Sequence, residues 1–332
     1  MLSPNDTQSA VANVAVSNKP VSHVVSTEKK GVIIPSHINV VIDKLAVAVN
    51  GFTAEELDGI VKTIHIYNSD TEYFKPVFGG KYKARTQIRV TPTETVLMEA
   101  GPKTVKGAQV RFDFNPSKIG ADGIEQFKLL LDGMMPYGYD HLIASGKITR
   151  IDFAADIHGI HISDLEFFTQ YACGGTKFSK SGKPQTVYLG AVSSNKKWAI
   201  YDKAAQLKLK NGQVITRIER RLKANIALVE LENIENPFLG LSIISSKLGN
   251  KVPVGVSAET WRLFRRACKH TPCSVVLTDL EPTTRKIVRE WLKGKVVKWW
   301  NPDAVWESFP SVVSELGLLT PLHHSLKLHK AA

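Results

Sequence analysis

The chain has 332 residues, 43% of them hydrophobic, enough for a sizeable core and, at about 100–200 residues per domain, for about two domains. Lys and Arg number 43 against 31 Asp and Glu, so the +12 excess calls for a polyanionic partner, nucleic acid or an anionic membrane surface. Three cysteines (Cys173, Cys268 and Cys273) are too few for a disulfide framework, no apolar run reaches the ~20 residues of a spanning helix, and 10–25 is too broken for a signal peptide, so the expected setting is intracellular.

Residues 1–34 are rich in Ser, Asn, Val and Ala, lack a sustained period, and are expected to form a flexible N-terminal arm. A strand is expected at 43–49, followed by a helix opened by Thr53 as its cap. Strand-like runs follow at 87–91, 95–100 and 109–114, broken by Gly79-Gly80, Pro92 and Gly101-Pro102. The apolar period then predicts a helix over 117–134, a strand at 147–157 and a helix over 164–171. Further strands are expected at 186–192, 197–203 and 215–222, and helices at 259–269, 283–293 and 303–316. The resulting fold class is α+β: a largely antiparallel sheet with helices on one face, then a smaller helical C-terminal region. The expected division is an arm at 1–34, a catalytic domain at 35–240 and the helical region at 241–332.

Alternation along a strand sorts side chains by face. In 150–157, Ile151, Phe153, Ala155 and Ile157 share one face, and Arg150, Asp152 and Asp156 the other. In 217–222, Ile218 and Leu222 oppose Arg217, Glu219 and Arg221. In 198–203, Tyr201 and Lys203 lie opposite Trp198 and Ile200, and in 109–115 Arg111, Asp113 and Asn115 alternate with apolar residues. Were these strands neighbours, one sheet face would gather acids, guanidinium groups, a phenol and an amine. A solvated face of mixed charge is the plainer alternative. Acids set among basic residues suit a hard divalent cation, Mg2+ or Mn2+. From Lys177 to Lys223 there are 12 Lys and Arg against two acids, a surface complementary to phosphates.

Between Gln109 and Lys223 the chain resembles the replication initiation factors of rolling-circle plasmids and the related replication nickases of filamentous phages. The resemblance is carried by Phe114-Asn115-Pro116-Ser117-Lys118, Thr149-Arg150-Ile151-Asp152 with Asp156, Val187-Tyr188-Leu189-Gly190 with Ser193 or Ser194, Ile200-Tyr201-Asp202-Lys203, and Arg217-Ile218-Glu219. It implies an enzyme that nicks one strand at a DNA origin through a tyrosine, leaving a 5′-phosphotyrosine and a free 3′ hydroxyl. By matching, Tyr201 is the nucleophile, with Asp152 and Glu219, and Asp156 beside them, as metal carboxylates. Lys203 is placed to stabilise the phenolate or contact the phosphate, and Arg150, Arg217 and Arg221 to clamp neighbouring phosphates. The partner implied is origin DNA, single-stranded at the nick and duplex nearby, with a host helicase or polymerase as further candidates and no membrane; the setting is the bacterial cytoplasm.

Two departures from the family pattern stand out. The arginine expected before the downstream serine is missing from Gly190-Ala191-Val192-Ser193-Ser194, leaving Lys196 or Lys197 as substitutes. There is also no His-hydrophobic-His triplet, and His158 and His161 are read as loop residues. Tyr188 is the alternative nucleophile. Cys268, His270 and Cys273 lack the second pair a zinc site needs, and are read as thiols near a helix end. The competing functions are a non-catalytic DNA-binding replication regulator with the same fold and a metal-dependent hydrolase in which water attacks. In the C-terminal region, Arg262, Arg265, Arg266 and Lys269 recur at helical spacing, as either a duplex- or helicase-binding face or a solvated one.

Overall fold

The computed structural model describes residues 34–70, 72–169, 174–191, 194, 196–210, 212–247 and 251–321. All but the last residue of the expected arm, and also Cys173, Val192 and Ser193, lie outside the described residues.

Among the described residues twelve strands follow in chain order: β1 Ile38–Val49, β2 Phe74–Pro76, β3 Tyr82–Arg89, β4 Thr95–Pro102, β5 Val110–Phe114, β6 Lys147–His158, β7 Leu165–Thr169, β8 Gly175–Lys180, β9 Lys183–Leu189, β10 Lys196–Asp202, β11 Ile215–Ala227 and β12 Leu241–Ser245. Ten of them form one sheet in the order β2-β3-β4-β5-β1-β6-β11-β10-β9-β8, and β12 pairs with β7 in a second. Every pairing is antiparallel. The mixed α+β class with helices and a helical C-terminal region is therefore what the chain adopts.

Alternation decides which face is covered. Ile151, Phe153, Ala155 and Ile157 of β6 are sealed from solvent, as are Ile218 of β11 and Ile200 of β10. Against this apolar face pack the helix Ala54–Tyr67, which crosses β3 and β4, and the helices Pro116–Met134 and Phe309–Leu316, which cross β1. Thr53 and Glu56 close a capping box on the first helix, satisfying two otherwise orphaned backbone amides. Unbroken burial of 45–49 in β1 and 151–155 in β6 places them at the centre, where they position everything on the opposite face.

Of the helix expected over 164–171, residues 164–169 are described and are not helical, while 170 and 171 lie outside the described residues. A single 3-10 turn (Ile162–Asp164) leads into β7, whose Leu-Glu-Phe-Phe-Thr run takes β12 as its partner. That partner arrives from more than seventy residues downstream, so no local period reveals it. The helix expected at 303–316 divides into Pro302–Trp306 and Phe309–Leu316, because Pro310 has no amide to continue the ladder.

The C-terminal third packs in two places. Trp261, Phe264, Val288 and Leu292 form a cluster with Phe168 and Ile244. Trp300, Phe309, Val313 and Leu318 instead join the main core. There, Phe153 meets the edges of Trp306 and Phe309 at 5.0 and 5.2 Å between ring centroids. Phe309→Ala is accordingly expected to cost about 3–5 kcal/mol of stability, read from urea unfolding. A loss within about 0.5 kcal/mol, as for an exposed residue, would show that this helix is not part of the core.

Candidate functional site

The uncovered face of the sheet carries the charged residues, and the strand register brings them together. Across β6 and β11, Asp152 lies opposite Arg221 and Asp156 opposite Arg217. Across β11 and β10, Arg217 faces Tyr201, Glu219 faces Ala199 and Arg221 faces Lys197. On the other side of β6, Lys44 of β1 pairs with Asp152. One further step outward, Tyr188 of β9 faces Ala199 and Thr186 faces Tyr201. Asp152, Glu219, Tyr201, Tyr188, Arg150, Arg221 and Lys203 thus line one groove of about 800 Å³.

Glu219 is the hub of this groove. It is 3% exposed, and Ala154 and Ala199 flank it in register, leaving room for longer side chains to fold over it. The Tyr201 hydroxyl donates to Glu219 Oε1. Arg221 donates to Oε2 from Nε at 3.0 Å and from Nη2 at 2.7 Å. Burial raises the Tyr201 phenol well above its ordinary pKa, and the Glu219 charge and hydrogen bond raise it further, while Arg217 pulls the other way. In the resting protein Tyr201 is therefore a neutral phenol already pointed at a carboxylate.

Asp152, also 3% exposed, accepts both donors of Arg150, at 2.9 and 2.6 Å. Asp156 is held in the same two-point fashion by Arg217, at 2.6 and 2.7 Å. The remaining Arg217 nitrogen donates to Asp43. Burial works to lower the Arg217 pKa, but its bonds to Asp156 and the Asp156 and Asp43 charges outweigh that and raise it. Arg217 is 6% exposed, and each of its three guanidinium nitrogens donates to a carboxylate inside the fold, so it orders the sheet face.

Lys203 departs from the expected position on the strand. β10 ends at Asp202, which caps a helical turn (Lys203–Gln206). From there the Lys203 ammonium bonds Gln206 at 2.8 Å and sits 5.9 Å from the centre of the Tyr201 ring. Burial lowers its pKa, with the Arg217 charge adding to the effect. Lys197 shares the groove face, opposite Arg221, whereas Lys196 pairs with Leu222 and so faces the other way. His158 ends β6 and stacks on His37 at 3.8 Å, while His161 bonds Asp202 at 3.1 Å. Cys268 and Cys273 are buried free thiols.

Sequence reasoning passed over Asp43. The register of β1 slips between Ile42 and Lys44, an irregularity that turns both Asp43 and Lys44 into the groove. The available signal was the Asp43-Lys44 pair in the middle of an otherwise apolar strand. Lys44 bonds Asp113 at 2.7 Å, which carries the ion-pair lattice outward to Arg111 and Glu99.

The fit of a divalent ion follows from these partners. Asp152, Glu219 and Asp156 each have both oxygens engaged: a guanidinium spans the two oxygens of Asp152 and of Asp156, while Glu219 takes Arg221 on Oε2 and the Tyr201 hydroxyl on Oε1. Among the described residues no three His, Cys, Asp or Glu side chains gather into a cluster able to hold a metal. As arranged, the carboxylates form a lattice with arginine and not a cation cradle. No helix among the described residues is long and apolar enough to cross a membrane.

Neither a family model nor a curated protein matches the chain. Among solved structures, the rolling circle replication initiator protein from Geobacillus stearothermophilus aligns with 72% of this chain and 99% of its own, at 15% identity and a TM-score of 0.39.

The Tyr201–Glu219 contact has a direct spectroscopic consequence. Because the Glu219 charge adds to the rise in the Tyr201 pKa, Glu219→Gln is expected to lower it. NMR titration of ring-labelled tyrosine, with Tyr201→Phe used to assign the signal, reads this shift. An unchanged or higher pKa would mean that the carboxylate does not act on the phenol.

Proposed function

We propose that this chain is a replication initiator that nicks one DNA strand at a rolling-circle origin, with Tyr201 as the nucleophile. The observation that carries the reading is the half-buried hydrogen bond from the Tyr201 phenol to Glu219, inside a groove bordered by Arg150, Arg221 and Lys203. The resemblance of segments 109–223 to rolling-circle initiators supports the choice of DNA as substrate, and so does the basic excess around the groove.

The chemistry is a transesterification. As the Tyr201 oxygen forms its bond to phosphorus, its proton passes to Glu219 and the bond from phosphorus to the 3′ oxygen breaks. The 3′ oxygen leaves as a hydroxyl, taking the proton that Glu219 received. One phosphodiester is exchanged for another, so the energy of the broken bond is stored in the phosphotyrosine for later rejoining. A phenol held above its ordinary pKa cannot attack unaided, which makes a base at hydrogen-bond distance a requirement. Glu219 therefore serves as general base in this reading. Lys203 stabilises the charge that develops on the phenol and the phosphate.

Asp152 and Arg150 fix the groove wall, and Arg221 is shared between Glu219 and the incoming phosphate. Mg2+ or Mn2+ at Asp152 and Glu219 would require these arginines to release their carboxylates. A non-catalytic DNA-binding regulator is the second reading, favoured by the complete internal pairing of the acids.

A denaturing gel separates the two. Supercoiled DNA of the encoding replicon, incubated with the protein and either a chelator or an added divalent ion, is expected to be nicked with label retained on the protein. Tyr201→Phe is expected to abolish the adduct, Tyr188→Phe to preserve it, and Lys203→Ala to slow its formation about 10²–10³-fold. An adduct that persists in Tyr201→Phe overturns the assignment of the nucleophile; binding without any adduct in the native protein supports the regulator.

A further inference from the structure

The hairpin β8–β9 closes the sheet beside the groove and carries two aromatic rings on the groove face. Phe178 is 57% exposed and Tyr188 is 38% exposed, although both are large enough to be costly in water. Their rings meet edge to face at 6.1 Å between centroids. The register aligns Phe178, Thr186 and Tyr201 in one row across three neighbouring strands. With strands spaced about 4.8 Å apart, Phe178 is rooted about 10 Å from Tyr201. Tyr188 lies between them in the adjacent row and lines the groove itself.

Charge complements the rings. Lys180 and Lys183, both exposed, close the hairpin, Lys183 toward the pocket beside Lys177, and Lys197 stands on the groove face of β10. Exposed aromatics bordered by cations suit a ligand with flat apolar faces strung on an anionic backbone. We infer that Phe178 and Tyr188 form a base-stacking platform that holds the single DNA strand next to the nucleophile, with Lys197 against its phosphates.

This inference rests on reading the groove as the strand-transfer site and adds the surface that positions the strand there. It also gives Tyr188 a role that depends on its ring and not on its hydroxyl. No bond is made or broken by either residue. An exposed edge-strand ring could otherwise serve only to brace the hairpin, so the test must respond to bases and not to folding.

Two labelled DNA strands provide that test with the full-length protein: one of mixed sequence, and one of equal length made of abasic nucleotides. Fluorescence anisotropy is expected to show the base-bearing strand bound about 5- to 100-fold more tightly by the native chain. Phe178→Ala is expected to remove most of that preference and leave abasic binding unchanged, whereas Phe178→Tyr and Tyr188→Phe retain it. Unchanged thermal melting by circular dichroism confirms that the Phe178→Ala variant folds. The platform is overturned if the native chain shows no preference for bases or if Phe178→Ala keeps it. Failure of the nicking reading looks different: the base preference persists while no adduct forms at Tyr201.

Discussion

A carboxylate sealed from water must be held by donors or it will take up a proton, and the open face of this sheet is organised by that requirement. Glu219 and Asp152 are buried at the centre of ten strands, with the less buried Asp156 beside them. Arg221, Arg150 and Arg217 answer them, each from an adjacent position in the register or two residues along the same strand. Only Glu219 has an oxygen left for a phenol, and it is this residual valence that singles out Tyr201. Removing any one arginine would leave a buried charge uncompensated, so the lattice is a collective property of β1, β6, β10 and β11.

The same lattice explains why the groove is polar but not strongly basic at its floor. Cations and acids cancel within it, and the unbalanced charge lies outside, on the β8–β9 hairpin and the segments that follow. A strand of DNA attracted by the outer charge would meet a neutral floor on which one phenol is poised. In the proposed reading, attraction and chemistry are thereby separated in space, with the aromatic pair Phe178 and Tyr188 between them.

How much of this was legible in the sequence depends on the range of the interaction involved. Alternation within β6, β10 and β11 assigned Asp152, Tyr201 and Glu219 to one face, because period two is local and one face had to be apolar. The pairing of Asp156 with Arg217 was hidden: both residues were visible as groove candidates, but only the register shows that they satisfy each other. Asp43 was lost to the irregularity in β1, which breaks the alternation at that residue. Lys203 shares the parity of Tyr201, yet the strand ends one residue before it, at the Asp202 cap. β7 was misread as a helix and β12 was not anticipated, since each is a strand only by virtue of the other. The hairpin strand β8 went unseen because its Lys-, Ser- and Gly-rich stretch carries almost no apolar period.

The central claim is that Tyr201 becomes covalently joined to DNA. Mass spectrometry of the trapped complex, after nuclease and trypsin digestion, tests it at the level of the residue. Trypsin cuts after Lys197 and Lys203, so Tyr201 is released in peptide 198–203, while Tyr188 travels in peptide 181–196 because Lys183 precedes Pro184. The account requires the nucleotide mass on peptide 198–203, with the modification located on Tyr201 by fragmentation. A nucleotide on peptide 181–196 instead, or on no tyrosine at all, would contradict it.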